Sequence, residues 1–467
     1  MVMAETVLPG RVDLPPVPGS VHLVGAGGAG MRGLARLLAA EGYRLTGSDR
    51  DPSAARALVL EGLEVHAEDD AGPAGAADLV VYSAAVSLDH PALVAARAHG
   101  VPTMKRARAM AALLNDRRLA AVAGTHGKTT VTAMLAIAAE SAGLAPSALV
   151  GGRVPAWKGH ARVGQGRLAV VEADEYDRSF LELDPSLAVV TSIEPEHLEC
   201  YRDLKDLRGA FVEFAARAAG REGILVCADD PGARELADLV EGGAFYGRSP
   251  EAEYRVEILA RERGVQRCRL IAPRVDFEFE VAVPGEHNAQ NACGALSAAL
   301  MLGASPDRLA SSLHAFRGVE RRLQQLSDQG GRAIVDDYAH HPTEVRASIA
   351  ALRAAYPGRR VAVVFQPHLY SRTHALAAEF GSALSEADDA LVLPIHPARE
   401  KPMAGVTSAL IVDRAAPRVR EANGDEVLPW LTALDGEVVV AFMGAGDVTD
   451  LAQRAAGTVE GDDALGG

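Results

Sequence analysis

The feature that most restricts this chain is the stretch Ala123-Gly124-Thr125-His126-Gly127-Lys128-Thr129-Thr130. An apolar run, Leu119 to Val122, enters it and a helical pattern, Val131 to Ala139, leaves it, so it reads as strand, glycine loop, helix. In that arrangement the loop's backbone N–H groups and the positive end of the helix dipole converge on one spot. A triphosphate with its magnesium suits such a spot. Lys128 would neutralise the outer phosphates as a point charge, and the hydroxyl of Thr129 or Thr130 would take a magnesium coordination position. The loop is shorter than the usual G-x-x-x-x-G-K-[ST]: Val122 stands five residues before Gly127, leaving G-x-x-G-K-T-T.

At 467 residues the chain is too long for one ordinary core and leads us to expect about three domains. Hydrophobic content of 48% with only 4% aromatic residues describes a soluble globular protein built on Ala, Val and Leu. A formal net charge of -15 argues against a nucleic-acid or anionic-membrane surface, so sites for anionic substrates must be local islands of Arg and Lys. The Pro-rich start, Met1 to Ser20, lacks a signal-peptide pattern, and no apolar run reaches the roughly 20 residues of a membrane helix. Cys200, Cys227, Cys268 and Cys293 form no C-x-x-C pair and read as core thiols in a reducing compartment. A cytoplasmic location is expected.

Near the start, Val21-His22-Leu23-Val24 runs into Gly25-Ala26-Gly27-Gly28-Ala29-Gly30 and a helical pattern from Met31 to Ala40. This satisfies G-x-G-x-x-G between strand and helix, and Asp49 lies where a dinucleotide fold places its ribose-binding acid. The physics of the pattern is only a diphosphate on a helix N-terminus, which a nucleotide sugar supplies as well as NAD. Alternating pieces then run to Arg117, and we expect residues 18–117 to form one α/β domain.

A second domain, 118–322, opens with the phosphate loop. The strand Leu168 to Val171 runs into Glu172, Asp174, Glu175 and Asp177, and the strand Leu187 to Ile193 into Glu194-Pro195-Glu196-His197. Both would deliver polar groups to one carboxyl edge of a parallel sheet, which makes Glu172 and His197 candidate metal ligands. Residues Tyr254 to Val283 read as short antiparallel strands, and Glu286-His287-Asn288-Ala289-Gln290-Asn291 starts a long helix whose His and Asn residues either cap it or bind a ligand. Arg321 and Arg322 stand at the joint. A third α/β domain, 323–467, brings Asp336-Asp337-Tyr338-Ala339-His340-His341, then Gln366-Pro367-His368 and Tyr370-Ser371-Arg372-Thr373, to its own polar edge. A zinc site on His340 and His341 is disfavoured, because adjacent strand residues face opposite ways.

Taken together, Gly124 to Thr130, Glu172 with Asp174 and Glu175, His287 to Asn291, Asp336 to Glu344, and Gln366 to Thr373 resemble the Mur ligases, in the family's order, from about residue 18 to 450. The resemblance implies a three-domain α/β architecture: a Rossmann-like UDP-binding domain, a central P-loop ATPase-like domain and a C-terminal Rossmann-like domain. It implies ATP and magnesium, for which manganese can substitute, and an acyl phosphate on a muramyl carboxylate that an incoming amine attacks. The motifs fit best the branch that joins L-alanine to UDP-N-acetylmuramate, the first amino-acid addition in peptidoglycan precursor synthesis.

Carried over residue by residue, Lys128 would act on the migrating phosphoryl group, and Gly124, Thr125, His126, Gly127, Thr129 and Thr130 would cradle the phosphates. Thr129, Glu172 and His197 would hold metal. His287, Asn288, Asn291, Arg321 and Arg322 would contact the rest of ATP; Gly25, Gly27, Gly28, Gly30, Asp49 and Ser83 the UDP-sugar; Tyr338, His340 and Arg372 the amino acid. The expected partners are therefore UDP-N-acetylmuramate, ATP and L-alanine, on a monomer or weak homodimer.

Two departures stand out. Leu369 occupies a position where the family usually has a second arginine, and no lysine after His197 fits the family's carbamylated one, so no carbamate is expected. The alternatives are a murein tripeptide recycling ligase of the same superfamily, an NAD-binding dehydrogenase or sensor resting on Gly25 to Gly30, and a non-catalytic nucleotide-binding scaffold.

Overall fold

The computed structural model describes residues 13–51, 58–59, 62–196, 200–262, 264–398 and 400–465. Contacts divide the chain into two units, Met1–Glu253 with Gly294–Ser305, and Tyr254–Cys293 with Pro306–Gly467.

The first unit contains two sheets. In one, β1 (Ser20–Val24), β2 (Arg44–Asp49), β3 (Glu64–Ala67), β4 (Leu79–Tyr82) and β5 (Thr103–Lys105) are ordered β3-β2-β1-β4-β5 and all parallel. The order reverses between β1 and β4, which opens a crevice at their carboxyl ends. Gly25 and Ser83 follow those two strands, and a Cβ at Gly25 would lie 3.7 Å from that of Ser83. The helix α1 (Ala29–Ala40) begins inside the glycine run and buries Met31, Leu34, Leu37 and Leu38.

The other sheet of this unit runs β12 (Gly243–Gly247), β11 (Gly223–Cys227), β10 (Leu187–Val190), β6 (Arg118–Ala123), β9 (Leu168–Glu172), β7 (Ser147–Val154), β8 (Gly159–Arg162). All pairs are parallel except the β7–β8 hairpin. β6 is thus flanked by β9 and β10, and all three carboxyl ends meet. α2 (Lys128–Ser141) leaves β6 with buried residues on nearly every side, most of them Ala and Thr, the signature of a helix sunk in a core. Small residues let it sit close to the sheet without the aromatic bulk this chain lacks.

The two sheets share an interface within the unit. α1 lies on the β7–β8 hairpin: a Cβ on Gly33 would come within 2.1 Å of Leu149 Cδ1, so only glycine permits the approach. One turn further on, Arg36 Nη1 donates to the carbonyls of Trp157 (3.1 Å) and Ala161 (3.3 Å).

In the second unit, β13 (Tyr254–Glu262), β14 (Val265–Ala272) and β15 (Val275–Val281) form the antiparallel meander expected from their sequence. The remaining strands are β16 (Gln324–Gln329), β17 (Arg332–Asp337), β18 (Arg360–Phe365), β19 (Asp389–Val392), β20 (Val419–Glu421) and β21 (Val438–Met443), ordered β16-β17-β21-β18-β19-β20. Only β16 runs antiparallel. Along β18, Val361, Val363 and Phe365 join a core with α3 (Pro342–Ala355) and α4 (Tyr370–Leu384), while Ala362 and Val364 join the core on the opposite face. Burial on both faces is why these strands are unbroken apolar runs.

Candidate active site

The phosphate loop is shaped by backbone geometry and braced by its neighbour strand. Gly124 has φ +134°, and a Cβ there would meet Thr191 Oγ1 at 2.1 Å; Gly127, at φ +81°, starts α2 from the left-handed region that glycine enters without strain. Behind the loop, the amide of Thr125 donates to the Ser192 carbonyl (2.9 Å), that of His126 to Ser192 Oγ (2.9 Å), and Thr125 Oγ1 accepts from the Glu194 amide (2.9 Å). His126 Nε2 lies 3.3 Å from Glu194 Oε2. The residues just past β10 thus hold the loop in place, while the first amides of α2 point forward with no partner inside the helix.

Lys128 and Thr129, the first two residues of α2, each meet a carboxylate. Thr129 Oγ1 donates to Glu172 Oε1 at 2.8 Å, and the Gly151 amide donates to Glu172 Oε2 at 2.6 Å. Val122 pairs with Glu172 across the parallel strands, which sets the carboxylate beside the loop. The hydroxyl and carboxylate make an all-oxygen donor pair, the chemistry a hard divalent cation takes. Lys128 Nζ lies 3.0 and 2.9 Å from the two oxygens of Glu175, whose side chain is only 1% exposed, and also donates to the carbonyls of Gly124 and Thr125. Burial pulls the ammonium's pKa down; Glu175, Asp174 and Glu172 push it up, and the net shift is upward, so the lysine stays charged. His197 lies outside the described residues.

At the first sheet's glycine run, Asp49 Oδ2 accepts from the Gly27 amide at 2.8 Å and Asp49 Oδ1 from the Asp51 amide at 2.9 Å. The acid therefore ties its own loop to the end of β2. Gly28 caps α1, and at Gly30 a Cβ would lie 2.9 Å from the guanidinium of Arg106. Sequence reasoning missed Arg106. A signal existed: β5 runs straight into Lys105-Arg106 at a strand-to-helix junction, the same grammar as the phosphate loop. Lys105 Nζ in turn pairs with Asp177 at 3.1 Å.

The second unit gathers the remaining candidates. The Arg321 and Arg322 guanidinium carbons sit 4.9 and 5.0 Å from the centre of the Tyr338 ring, and Arg321 Nη2 donates to the carbonyls of Gly444 and Gly446. Tyr338 contacts His340 (centroids 5.2 Å), His340 faces His368 (6.2 Å), and His368 stacks on His396 (5.7 Å). Arg372 Nη1 is 3.3 Å from His368 Nδ1 and only 9% of Arg372 is exposed. Tyr338, His340 and Arg372 are thus drawn into one cluster through His368, on which His396 stacks. Leu369, at φ +69°, is 6% exposed, so its side chain packs inward.

At the start of the helix Glu286–Met301, Asn288 Nδ2 donates to the Pro284 carbonyl (2.7 Å) and Asn291 Nδ2 to Asn288 Oδ1 (3.3 Å). Asn288 is thus a donor to the preceding turn. Burial lowers the pKa of His287 to about 4, against the pull of Glu344 and with the help of Arg322, so its imidazole is neutral at physiological pH.

Among the described residues no helix is long and apolar enough to cross a membrane, and none of the four cysteines, three of them buried, is in a disulfide.

Parallel sheets whose carboxyl edges carry a phosphate loop and a second glycine loop define a nucleotide-dependent enzyme class. Comparison with known families specifies it. Residues 20–118 match the Mur ligase family catalytic domain, 122–299 the Mur ligase middle domain, and 321–448 the Mur ligase glutamate ligase domain. The chain belongs to the Mur ligase family. It is 42% identical over 448 residues to a UDP-N-acetylmuramate--L-alanine ligase of Streptomyces griseus, covering 93% of this chain and 96% of that one. Among solved structures it resembles the UDP-N-acetylmuramate-alanine ligase of Thermotoga maritima (TM-score 0.80, 25% identity, 95% of this chain and 100% of that one). A murein peptide ligase from Psychrobacter arcticus shares the fold (TM-score 0.68, 21% identity, 94% and 98% coverage).

Proposed function

We propose that this chain is the ATP-dependent, ADP-forming ligase that joins L-alanine to the carboxylate of UDP-N-acetylmuramate. The observation that carries the reading is the 42% identity to an enzyme of that name across nearly the whole of both chains. The murein peptide ligase is the weaker parallel, since it shares fold alone.

A carboxylate is a poor electrophile, and phosphorylation by ATP converts it to an acyl phosphate that an amine can attack. In this reading residues 18–117 bind the UDP-sugar, with the diphosphate at Gly25, Gly27, Gly28 and Gly30 and with Asp49, Ser83 and Arg106 around it. Residues 118–322 bind ATP through Gly124 to Thr130, with His287, Asn288, Asn291, Arg321 and Arg322 reaching the nucleoside and phosphates. Lys128 neutralises charge on the migrating phosphoryl group. Thr129, Glu172 and His197 would hold magnesium, which supplies charge neutralisation at the transferred group when bound. Residues 323–467 would hold L-alanine near Tyr338 and His340, its carboxylate paired with Arg372. With Leu369 facing inward, that carboxylate has one arginine in this segment.

The test is product mass. UDP-N-acetylmuramate, ATP and a panel of amino acids are incubated with the enzyme; gain of one alanine residue with stoichiometric ADP is expected. Turnover with a tripeptide and none with L-alanine would overturn the assignment.

A further inference from the structure

The strand-end segment after β9 has a backbone that needs explaining. Asp177 and Arg178 are consecutive non-glycine residues in the left-handed region, both at φ +54°. Such a pair persists only where the surroundings over-determine it, and it marks a constrained, function-bearing turn. Here the constraint is visible. The Tyr201 hydroxyl donates to the Glu175 carbonyl at 2.6 Å, the Arg178 amide donates to the same carbonyl at 3.1 Å, and the Arg178 guanidinium stacks 4.8 Å over the Tyr201 ring while pairing with Asp206 at 2.7 Å. Asp177 is held from the other side by Lys105. All of this pins the main chain of Glu175, and both oxygens of its carboxylate meet the ammonium of Lys128 at 2.9 to 3.0 Å.

We propose that Glu175 is a positioning residue that stands in for the nucleotide's phosphate charge, holding Lys128 over the loop until ATP arrives and then yielding it. A buried ammonium without an anion is costly, so a nucleotide-free enzyme needs such a partner. The nucleotide must then displace the carboxylate, and that exchange is subtracted from its affinity. The inference rests on the reading that α2 seats ATP.

The experiment is calorimetric titration of ADP and of a non-hydrolysable ATP analogue into the full-length enzyme, Glu175→Gln and Glu175→Asp. The amide keeps the shape and a hydrogen bond but removes the competing charge, so Glu175→Gln should lower the melting temperature of the free protein and tighten nucleotide binding by roughly fivefold to tenfold, with UDP-sugar affinity unchanged. Glu175→Asp, which keeps the charge on a shorter side chain and so weakens its hold on Lys128 without abolishing it, should tighten nucleotide binding by less than Glu175→Gln does. Lower stability with unchanged nucleotide Kd would reduce Glu175 to a structural role and overturn the proposal. Weaker nucleotide binding would overturn it the other way, by making Glu175 a presenter of the lysine to phosphate. Failure of the parent enzyme itself to bind nucleotide would instead refute the assignment of the ATP site. If Glu175→Gln does not fold, judged by loss of UDP-sugar binding, the Asp variant decides alone: its shorter reach should tighten nucleotide binding measurably, and an unchanged Kd counts against the proposal.

Discussion

The two glycine loops of the first unit use one backbone device for different ends. Each follows a central parallel strand and opens a helix, so each offers amides and a dipole to an anion. The loop after β1 has no lysine or hydroxyl of its own; an acid on the next strand, Asp49, ties it, and a cation from another element, Arg106, lies over its helix start. The loop after β6 is followed at once by Lys128 and Thr129 at the start of α2, which meet Glu175 just beyond β9 and Glu172 at its end. On the proposed reading the backbone of each loop receives a phosphate, and what would separate holding a diphosphate from transferring a phosphoryl group is the charge and hydroxyl chemistry brought to the loop.

That contrast can be broken at Lys128. Lys128→Ala should reduce turnover by about a thousandfold, while UDP-N-acetylmuramate affinity measured by calorimetry stays at the parent value. A parallel loss of UDP-sugar binding would mean that the two loops are not separable. Acid should separate them from the other side. His22, fully buried in β1 and bonded to Thr46 and Ser48, has its pKa lowered from 6.5 to about 4, first by burial and then by His66. A depressed histidine pKa means that the unfolded chain binds the extra proton. Stability is therefore complete above about pH 6.5 and falls as pH drops toward 4, by at most about 3 kcal/mol. Hydrogen exchange in β1 should accelerate over that window more than in β6, and His22→Gln should flatten the difference.

Arg106→Ala tests the borrowed cation: a roughly tenfold weakening of UDP-sugar binding is expected with ATP-analogue binding unaffected, since one charge-assisted contact is removed. The smallest effect belongs to Asp49→Asn, which keeps an acceptor for the Gly27 amide and should cost about 0.5 to 1 kcal/mol in melting experiments. A large loss of UDP-sugar affinity there would show that the acid touches the ligand as well as the loop.

Much of the site is legible in the chain because its elements are local. Strand, glycine and helix patterns near Gly25 and Gly124 are contiguous, and both loops form where they are expected. The acidic end of β9 was equally readable, and parallel pairing with β6 brings Glu172 to Thr129. Arg106, Tyr201 and the brace at Thr191 and Ser192 were not. Their partners are 23 to 76 residues away in the chain, from Arg178 over the Tyr201 ring to Gly30 beside Arg106, and no periodicity announces a residue whose significance is the neighbour it meets. Capping illustrates a subtler limit: Asn288, one of the residues read as a candidate cap, falls on the third residue of the helix Glu286–Met301, and its amide donates backward to Pro284.

By itself, then, the amino-acid order determined the three parallel layers, the glycine turns and the residue types that can hold phosphate, because backbone sterics and hydrophobic period act over a few residues. Tertiary structure alone decided that Lys128 rests on Glu175, that Asp49 ties its own loop and that Leu369 turns inward. Electrostatic pairing and close packing depend on separations of a few ångströms between distant segments, and those distances exist only once the sheets are assembled.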